Sequence, residues 1–393
     1  MQHLWHFELL KRNRRWPVWL VVGLVFLGLL GGFGALRIKQ SRFVDDYAVT
    51  LRRMAKFPGQ KKNYDTELAA LHKSPAAYHR WFYNTLQVRR QRVMPTPAMT
   101  GSSVKLPSGQ SESVDLTDQA YQYMKKNKIT PMWPDSMFLV NTDMAADKSG
   151  NLRYLSQRFY QTAWYYVWGL IQQNILYVLL TLGILITGRQ WAKELANGAV
   201  HGEWLTLQGI SPARQVLNQF GVIAYTLGQI VYLPLLLAFI VIAFWQGLGS
   251  LAYPVVGYGN NGLGFGALLL PLRQYLGGAL LLSIGLIIFI ATTNLLLADW
   301  IRNSWIVTAL QLVLLGITWV APPMLSSPLT YFKLDPILTG ALAQQVDDSA
   351  FTAWQGFTVL LTASVLLLVI LAATRLVRGW LRQHHGVTAA AAK

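Results

Sequence analysis

The chain alternates between long apolar stretches and polar segments. A helix needs about 20 predominantly apolar residues to cross a bilayer. The apolar stretches predict six transmembrane helices, at residues 17–36, 164–187, 220–245, 274–298, 305–320 and 355–374. Helices are expected rather than barrel strands, because the stretches do not alternate between apolar and polar residues. A helix also satisfies its own backbone hydrogen bonds, as lipid requires.

The basic residues predict the topology. Short segments rich in Lys and Arg stay on the cytoplasmic side of a membrane. Such residues precede the first predicted span and follow the last, as Lys11, Arg12, Arg14, Arg15, Arg375, Arg378 and Arg382. We therefore expect both termini in the cytoplasm. Residues 1–16 form either an interfacial helix or a solvated basic flank, and residues 375–393 form a tail.

The remaining polar segments then alternate across the membrane. Segments 188–219 and 299–304 are expected on the cytoplasmic side. The expected outer segments are 37–163, 246–273 and 321–354. The first outer segment is itself basic, but segments of that length are translocated largely regardless of their charge.

The segment 37–163 predicts a mainly α-helical extracytoplasmic domain inserted between the first two spans. Helical patterns cover residues 65–93, with an interruption at Ser74-Pro75, and residues 116–127. Residues 94–114 are rich in turn formers and predict a loop. Residues 131–140 predict a strand or an extended segment, and a helix is expected from Leu152 into the second span. The fold class is thus an all-α polytopic membrane protein.

The composition agrees with this class. Of 393 residues, 53% are hydrophobic and 13% are charged, whereas soluble proteins carry about 25% charged residues. The formal net charge is +17, and residues 37–163 hold 20 Lys and Arg against 10 Asp and Glu. Cysteine is absent, so no disulfide stabilises the outer domain. The first apolar stretch exceeds the about 7–15 residues of a signal-peptide core and predicts an uncleaved anchor.

The sequence lacks three short motifs that mark nucleotide-binding or catalytic sites. It contains no GxxxxGK[ST], HExxH or GxSxG pattern, so no nucleotide site, zinc-protease site or nucleophile elbow is expected. His72 and His79 lack a third metal ligand at a suitable spacing, which favours two surface histidines over a metal site. Gly257, Gly259 and Gly262 match GxGxxG outside any βαβ unit, so a flexible or re-entrant loop is expected there. We therefore expect a protein that is not an enzyme, holds no cofactor or metal and binds no nucleic acid.

The predicted spans contain no Asp, Glu, Lys or Arg. Proton-coupled carriers use such groups at membrane depth, so this absence disfavours that class. Pro234 predicts a kink in the third span. The amide side chains within the spans are candidates for lining a transport pathway or for joining helices. They are Gln172, Gln173, Asn174, Gln229, Asn294 and Gln311.

The cytoplasmic segment 188–219 is polar and lies between two apolar stretches. It contains charged residues and a tryptophan, and Trp and Arg are enriched where proteins anchor partners. We interpret it as a surface that couples the chain to another protein, the alternative being an ordinary intracellular loop. The candidate coupling residues are Glu194, Gly198, Glu203, Trp204, Ile210, Ser211 and Arg214.

This organisation resembles the type-2 ABC transporter permease family. In that family the segment between spans two and three often reads E-x-E-x-G-T, then an apolar pair, then Pro-Ile-Ser-x-x-Arg. The matching positions here are Glu194, Gly198, Leu205, Leu207, Ile210, Ser211 and Arg214, whereas Ala196, Ala199 and Gly209 depart from it. The entry segment FELLKRNRR and the outer string SPLTYFKLDPILTG are also similar to the family.

The resemblance implies a membrane-spanning permease subunit of an ATP-driven exporter in a plasma membrane, in a bacterium. Two permease subunits, identical or different, would form the pathway among membrane lipids. Separate ATP-binding cassette subunits would carry ATP and Mg and dock on the coupling segment. Peptides, drugs and lipid-linked molecules are the expected substrate classes. The rival classes are an ATP-independent carrier and a non-transporting membrane sensor or immunity protein.

Overall fold

A computed structural model describes residues 16–56, 61–93, 108–134, 136–140, 156–196, 211–260, 265–301 and 303–390. These residues are mostly helical. The helices are α1 (Trp16–Met54), α2 (Lys61–Lys73), α3 (Pro75–Val93), α4 (Ser108–Lys126), α5 (Ala163–Gln172), α6 (Ile175–Ala196), α7 (Pro212–Gln246), α8 (Leu272–Ile301), α9 (Ser304–Val320), α10 (Leu334–Leu338), α11 (Ala341–Val346) and α12 (Ala353–Ala390). A hairpin of β1 (Pro254–Asn260) and β2 (Phe265–Pro271) precedes α8, and a 3₁₀ turn (Pro328–Phe332) precedes α10.

Among the described residues, four helices are long and apolar enough to cross a membrane, within α1, α7, α8 and α12. The pair α5 and α6 adds a fifth candidate if the two helices form one broken span. The fifth stretch of the sequence prediction, residues 305–320, lies in α9, an apolar helix of 17 residues. The chain is therefore a mostly helical, membrane-spanning protein.

Helix α8 lies at the centre of the apolar helices. It packs against α6, α7, α9 and α12. In its most apolar stretch 72% of the residues are buried, against 22% in α1 and α12 and 33% in α7. The outer faces of α1, α7 and α12 are thus free to contact lipid or another chain.

The segment with α4, the hairpin and the segment with α10 and α11 meet at one end of the bundle, which we call the loop end. The hairpin contacts α4 and α11, and the Tyr258 N–H donates to the Thr339 carbonyl at 2.6 Å. Gly340 lies against this contact with φ of +77°. A Cβ on Gly340 would lie 2.2 Å from the Tyr258 carbonyl oxygen, so only glycine fits.

The hairpin differs from the flexible or re-entrant loop that the glycines predicted. Its strands pair in antiparallel register from Pro254 with Pro271 to Asn260 with Phe265. A Cβ on Gly257 would lie 2.4 Å from a methyl carbon of Leu270. At least one glycine of the apparent nucleotide motif therefore allows close side-chain packing across the strands.

The helices of the polar segment partly follow the sequence prediction. The interruption before Pro75 is confirmed, because α2 ends at Lys73 and α3 begins at Pro75. Helix α4 begins at Ser108, well before the expected start near Thr117. Hydroxyls on α4 bind the segment 136–140, which is extended but forms no strand: Ser113 accepts from the Val140 N–H at 3.0 Å and Thr117 from the Phe138 N–H at 2.9 Å.

The expected continuous helix from Leu152 into the second span is wrong over the described residues. Residues 157–162 are not helical, and α5 begins at Ala163. The first N–H groups of α5 donate instead to a loop after α7, from Ala163 to Gly247 at 3.1 Å and from Trp164 to Leu248 at 3.0 Å. The carbonyl groups of this loop therefore accept hydrogen bonds from N–H groups at the start of α5, which have no partner within the helix.

Candidate functional site

The predicted second span is broken at three of the candidate pathway residues. Helices α5 and α6 meet at 74°, and Gln172, Gln173 and Asn174 lie at the break. Asn174 has φ of +56°, a left-handed conformation that asparagine tolerates better than most residues. Its N–H donates to the Ile171 carbonyl at 3.0 Å, and its carbonyl accepts from the Tyr177 N–H at 3.0 Å. The bend is therefore a defined backbone turn.

Gln172 belongs to a group of polar side chains at the loop end. Its carbonyl oxygen accepts a hydrogen bond from the Tyr160 hydroxyl. The Tyr160 ring packs edge-on against Trp168, with 5.3 Å between centroids. It also lies over Gly169, where a Cβ would come within 2.5 Å of the ring. Burial raises the pKa of Tyr160, the nearby Arg158 lowers it, and Asp335 raises it.

Asp335 is the acidic member of this group. Its Oδ1 accepts a hydrogen bond from the Tyr275 hydroxyl at 2.6 Å, which joins α10 to the first turn of α8. Burial raises the pKa of Asp335 above its ordinary value, and the Tyr275 hydrogen bond partly opposes that rise. We call Arg158, Tyr160, Gln172, Tyr275 and Asp335 the polar cluster.

Arg158 is the basic member of the polar cluster. Its guanidinium lies 4.5 Å from the Phe138 ring centroid and 5.3 Å from that of Trp168. Its Nε is buried without a hydrogen-bond partner among the described residues. The cation is thus held mainly against aromatic faces, which stabilise a partly desolvated guanidinium. The sequence offered no pattern that would pair it with Asp335, almost 180 residues later.

The polar cluster predicts a pH effect on stability. Asp335 has a raised pKa when folded, so above the ordinary value of 3.8 the folded state binds more protons than the unfolded state. Stability must then decrease as the pH rises through the window between the two pKa values. We expect Asp335→Asn, which keeps an oxygen for Tyr275 but carries no charge, to flatten this part of the profile.

The measurement is the thermal unfolding midpoint of the detergent-solubilised protein across about pH 4 to about pH 7. Asp347→Asn is the matched control, because Asp347 is an exposed carboxylate in the same segment between α9 and α12. Equal pH slopes for the wild type and Asp335→Asn would contradict the burial of a charge at this site.

Asn294 and Gln311 are brought together between α8 and α9. Both side chains are buried, and the Asn294 amide donates to the Gln311 oxygen at 3.1 Å. The Gln311 amide donates to the Ile290 carbonyl at 3.3 Å. Gly188 of α6 packs on the same site, since a Cβ there would lie 2.8 Å from the Thr308 hydroxyl. This arrangement favours helix contact over pathway lining for these two amides.

Gln229 has no described hydrogen bond to the polar cluster or to the Asn294–Gln311 pair. Its amide donates to the Tyr225 hydroxyl at 3.1 Å on an exposed face of α7. The structure thus divides the six amides among a helix break, a buried helix contact and an outward face. A pathway that uses Gln229 would need a second chain against α7.

The coupling candidates are only partly described. Gly198, Glu203, Trp204 and Ile210 lie outside the described residues, and Glu194 lies in the last two turns of α6. Ser211 is the N-cap of α7, with Pro212 in the first turn, and its hydroxyl accepts from the Arg214 N–H at 3.5 Å. Ser and Pro are favoured at these two positions of a helix. The Ser-Pro-x-Arg sequence therefore starts a helix, and both Ser211 and Arg214 are exposed.

A charged clamp lies at the opposite end of the bundle from the loop end. Asp299 of α8 accepts from Arg375 at 2.8 Å and from Arg378 at 2.9 Å, both on α12. Arg378 also donates to the Asp299 backbone carbonyl at 3.1 Å. The sequence reading placed these residues in a cytoplasmic turn and a tail without joining them. The sequence did contain a signal for this ion pairing, because the opposite charges lie just beyond the ends of two predicted spans.

The two histidines considered as metal ligands lie on different helices. His72 is in α2, within 3.5 Å of Arg52, and His79 is in α3. The carboxylate of Glu67, their nearest acidic neighbour in sequence, accepts a hydrogen bond from the Tyr47 hydroxyl. In the described part of the chain, no three His, Asp or Glu side chains are grouped to hold a metal ion.

Comparison with known proteins adds no relative. The chain matches no protein-family model, no curated protein and no solved structure. Its class is therefore that of a mostly helical membrane-spanning protein, and any narrower function rests on its own residues.

Proposed function

We propose that the chain is the permease subunit of an ATP-driven exporter of the type-2 ABC class. In this proposal it crosses the plasma membrane six times with both termini in the cytoplasm. A second permease subunit, identical or different, completes the pathway. ATP and Mg bind to separate ATP-binding cassette subunits, so this chain is not itself an enzyme. Peptides, drugs or lipid-linked molecules are the proposed substrates.

The observation that carries the proposal is the extension of α6 and α7 beyond their apolar stretches. Helix α6 continues from the end of its apolar stretch near Thr187 to Ala196, and α7 begins at Pro212, before Phe220. At 1.5 Å per residue these extensions are each about 12 Å long. The two helices pack together, so Ala196 and Ser211, the described residues on either side of residues 197–210 of the coupling segment, lie beyond the apolar stretches of α6 and α7. A partner in the cytoplasm would reach that segment first.

The break between α5 and α6 supports a transport role. Non-helical backbone among apolar helices is tolerated where it is buried in protein or lines a wet cavity. Discontinuous helices also form the substrate sites of many transporters. Here the break exposes Gln173 and directs Gln172 to Tyr160. The proposed pathway begins at this break, beside the polar cluster.

The coupling segment can be tested by site-specific photo-crosslinking in native membranes. With a photoreactive residue in place of Trp204, we expect a crosslink to an ATP-binding protein. The matched control places the same residue at Met324, which is 57% exposed at the loop end, and should give no such crosslink. ATPase activity that copurifies with the tagged chain should decrease when Glu194→Lys is introduced, because a reversed charge disfavours docking. A crosslink of equal yield from Met324, or none from position 204, would contradict the proposal.

A proton-linked carrier is the second candidate, and Asp335 is the observation that favours it. The sequence argument against this class rested on spans without acidic residues. Asp335 supplies a half-buried carboxyl at the edge of α8, hydrogen-bonded to Tyr275. Uptake or efflux by the purified chain in vesicles, driven by a pH gradient without ATP and abolished by Asp335→Asn, would favour the carrier over the exporter.

A further inference from the structure

A cavity of about 500 Å³ opens where the polar segment meets the apolar helices. Its walls come from the start of α3, the segment 128–133, residues 159–165 and the loop 249–250. Small-molecule sites have volumes of about 300–1,000 Å³, so the cavity is large enough for one. It is separate from the polar cluster, none of whose members lines it.

The walls of this junction cavity suit an anion. Lys128 and His79 provide nitrogen donors, and Thr130, Thr162 and Ser250 provide hydroxyls. None of the described lining residues is an aspartate or glutamate. The Thr162 hydroxyl is shielded from solvent and has no hydrogen-bond partner among the described residues. A ligand that accepts hydrogen bonds and carries negative charge would satisfy the Thr162 hydroxyl and be attracted by the Lys128 ammonium group.

The cavity lies near the level where the apolar helices end. Gln40 of α1 donates to the carbonyl of Trp133, a wall residue, at 2.7 Å. Gln40 follows the last apolar residue of the first stretch, Leu36, by about 6 Å along the helix. Thr162 and Tyr165, also in the wall, lie at the first turn of α5. Aromatic and basic residues at this level are typical of the lipid headgroup region.

The walls are held in place by contacts outside the cavity. The ring of Trp133 packs edge-on against Tyr78 with 5.2 Å between centroids. Phe159 packs against Phe43 at 5.3 Å. The Tyr165 hydroxyl accepts from the Ser250 N–H at 3.2 Å, which ties α5 to the loop after α7. A preformed site loses little ordering entropy on binding.

We propose that the junction cavity binds a phosphate monoester or diester, with Lys128 and His79 at the phosphate and Trp133 and Phe159 beside the group that the phosphate carries. Lys128 is exposed and lines the cavity directly after α4, so its ammonium group can reach an entering anion. The source of the phosphate is either a lipid headgroup or a soluble phosphate ester. This site lies within one chain and needs no ATP-binding partner, so it stands independently of the export proposal.

The test is calorimetric titration of the full chain in detergent with short-chain phosphatidylglycerol and, separately, with glycerol 3-phosphate. We expect saturable binding to the wild type that weakens as salt is added. Lys128→Gln should weaken binding about tenfold, since it removes a charge-assisted hydrogen bond. His79→Gln and Thr162→Val should each weaken it less. The matched control is Lys126→Gln, an exposed lysine two positions away that does not line the cavity.

Each result of the titrations either supports or overturns the proposal. Tighter binding of the lipid than of glycerol 3-phosphate identifies a lipid headgroup site, and equal binding identifies a site for soluble phosphate esters. Absence of saturable binding to the wild type overturns the proposal. Equal weakening by Lys126→Gln and Lys128→Gln also overturns it, because a general basic surface would then explain the affinity. An unchanged unfolding temperature in Lys128→Gln shows that the variant is folded.

Discussion

Replacing Arg375 and Arg378 together by methionine is expected to lower the free energy of unfolding by about 3 kcal/mol. Asp299 is the more buried partner of the clamp, with a side-chain exposure of 9% against 27% for Arg375 and 40% for Arg378. Removal of both arginines leaves a shielded carboxylate without compensation. The reverse change, Asp299→Asn, should cost only about 1 kcal/mol, because both arginines reach water.

The clamp is tested by comparing the stability lost in the double arginine variant with the stability lost in Asp299→Asn. Denaturant unfolding of the detergent-solubilised protein measures both losses. Adding Asp299→Asn to the double arginine variant should recover stability, since the uncompensated charge is removed as well. A double variant as stable as the wild type, or a triple variant less stable than the double, would show that the clamp does not join α8 to α12 in the way described.

Gly340→Ala is expected to destabilise the loop end by about 3 kcal/mol or more. The new Cβ would lie 2.2 Å from the Tyr258 backbone oxygen, and backbone atoms on both sides leave no flexible side chain to move away. The left-handed conformation adds a further cost of about 1–2 kcal/mol for any residue with a Cβ. We expect the hairpin to separate from α10 and α11.

Gly247→Ala separates these two contributions. Gly247 also has positive φ, at +85°, but nothing lies within 4 Å of the position that its Cβ would occupy. With ψ of 170° Gly247 lies in an extended positive-φ region that residues with a Cβ rarely adopt, so this control should cost only a conformational term, about 1–3 kcal/mol. Thermal unfolding combined with limited proteolysis of the hairpin measures both variants. Equal destabilisation by the two substitutions would contradict the close contact at Tyr258.

The features predicted correctly from the sequence depend mainly on composition. Long apolar stretches become helices whatever surrounds them, so the first, third, fourth and sixth predicted spans lie within α1, α7, α8 and α12. The interruption before Pro75 was predictable because proline disfavours a helical residue before it. The fifth stretch is also a helix, α9, but its 17 residues are short for a span.

The features that were missed depend on contacts between distant residues. Nothing local pairs Tyr258 with Thr339 or Asp335 with Tyr275, so neither the docked hairpin nor the polar cluster was predicted. Helix α4 starts early because Ser113 and Thr117 hydroxyls bind segment 136–140, whereas the sequence rules treat such residues as turn formers. The sequence did contain a signal for the bend at Asn174, namely three consecutive amide residues in an apolar stretch. From the sequence, these amides were interpreted as side chains that line a pathway or join helices, and not as a break in the backbone.

Helix α1 has the geometry of a lever. Its 39 residues span about 58 Å, and only about 30 Å of that length is apolar. Gln40 attaches the Trp133 segment to its polar arm, whereas the Tyr166 hydroxyl bonds to the Leu29 carbonyl in its apolar arm at 2.6 Å. About a pivot at Leu29, a tilt of about 10° would move the end of the helix at Met54 by about 6 Å. A small rotation between α1 and α5 would therefore be amplified into a larger displacement of α2, which packs against the polar arm of α1, and of α3, which packs on α2.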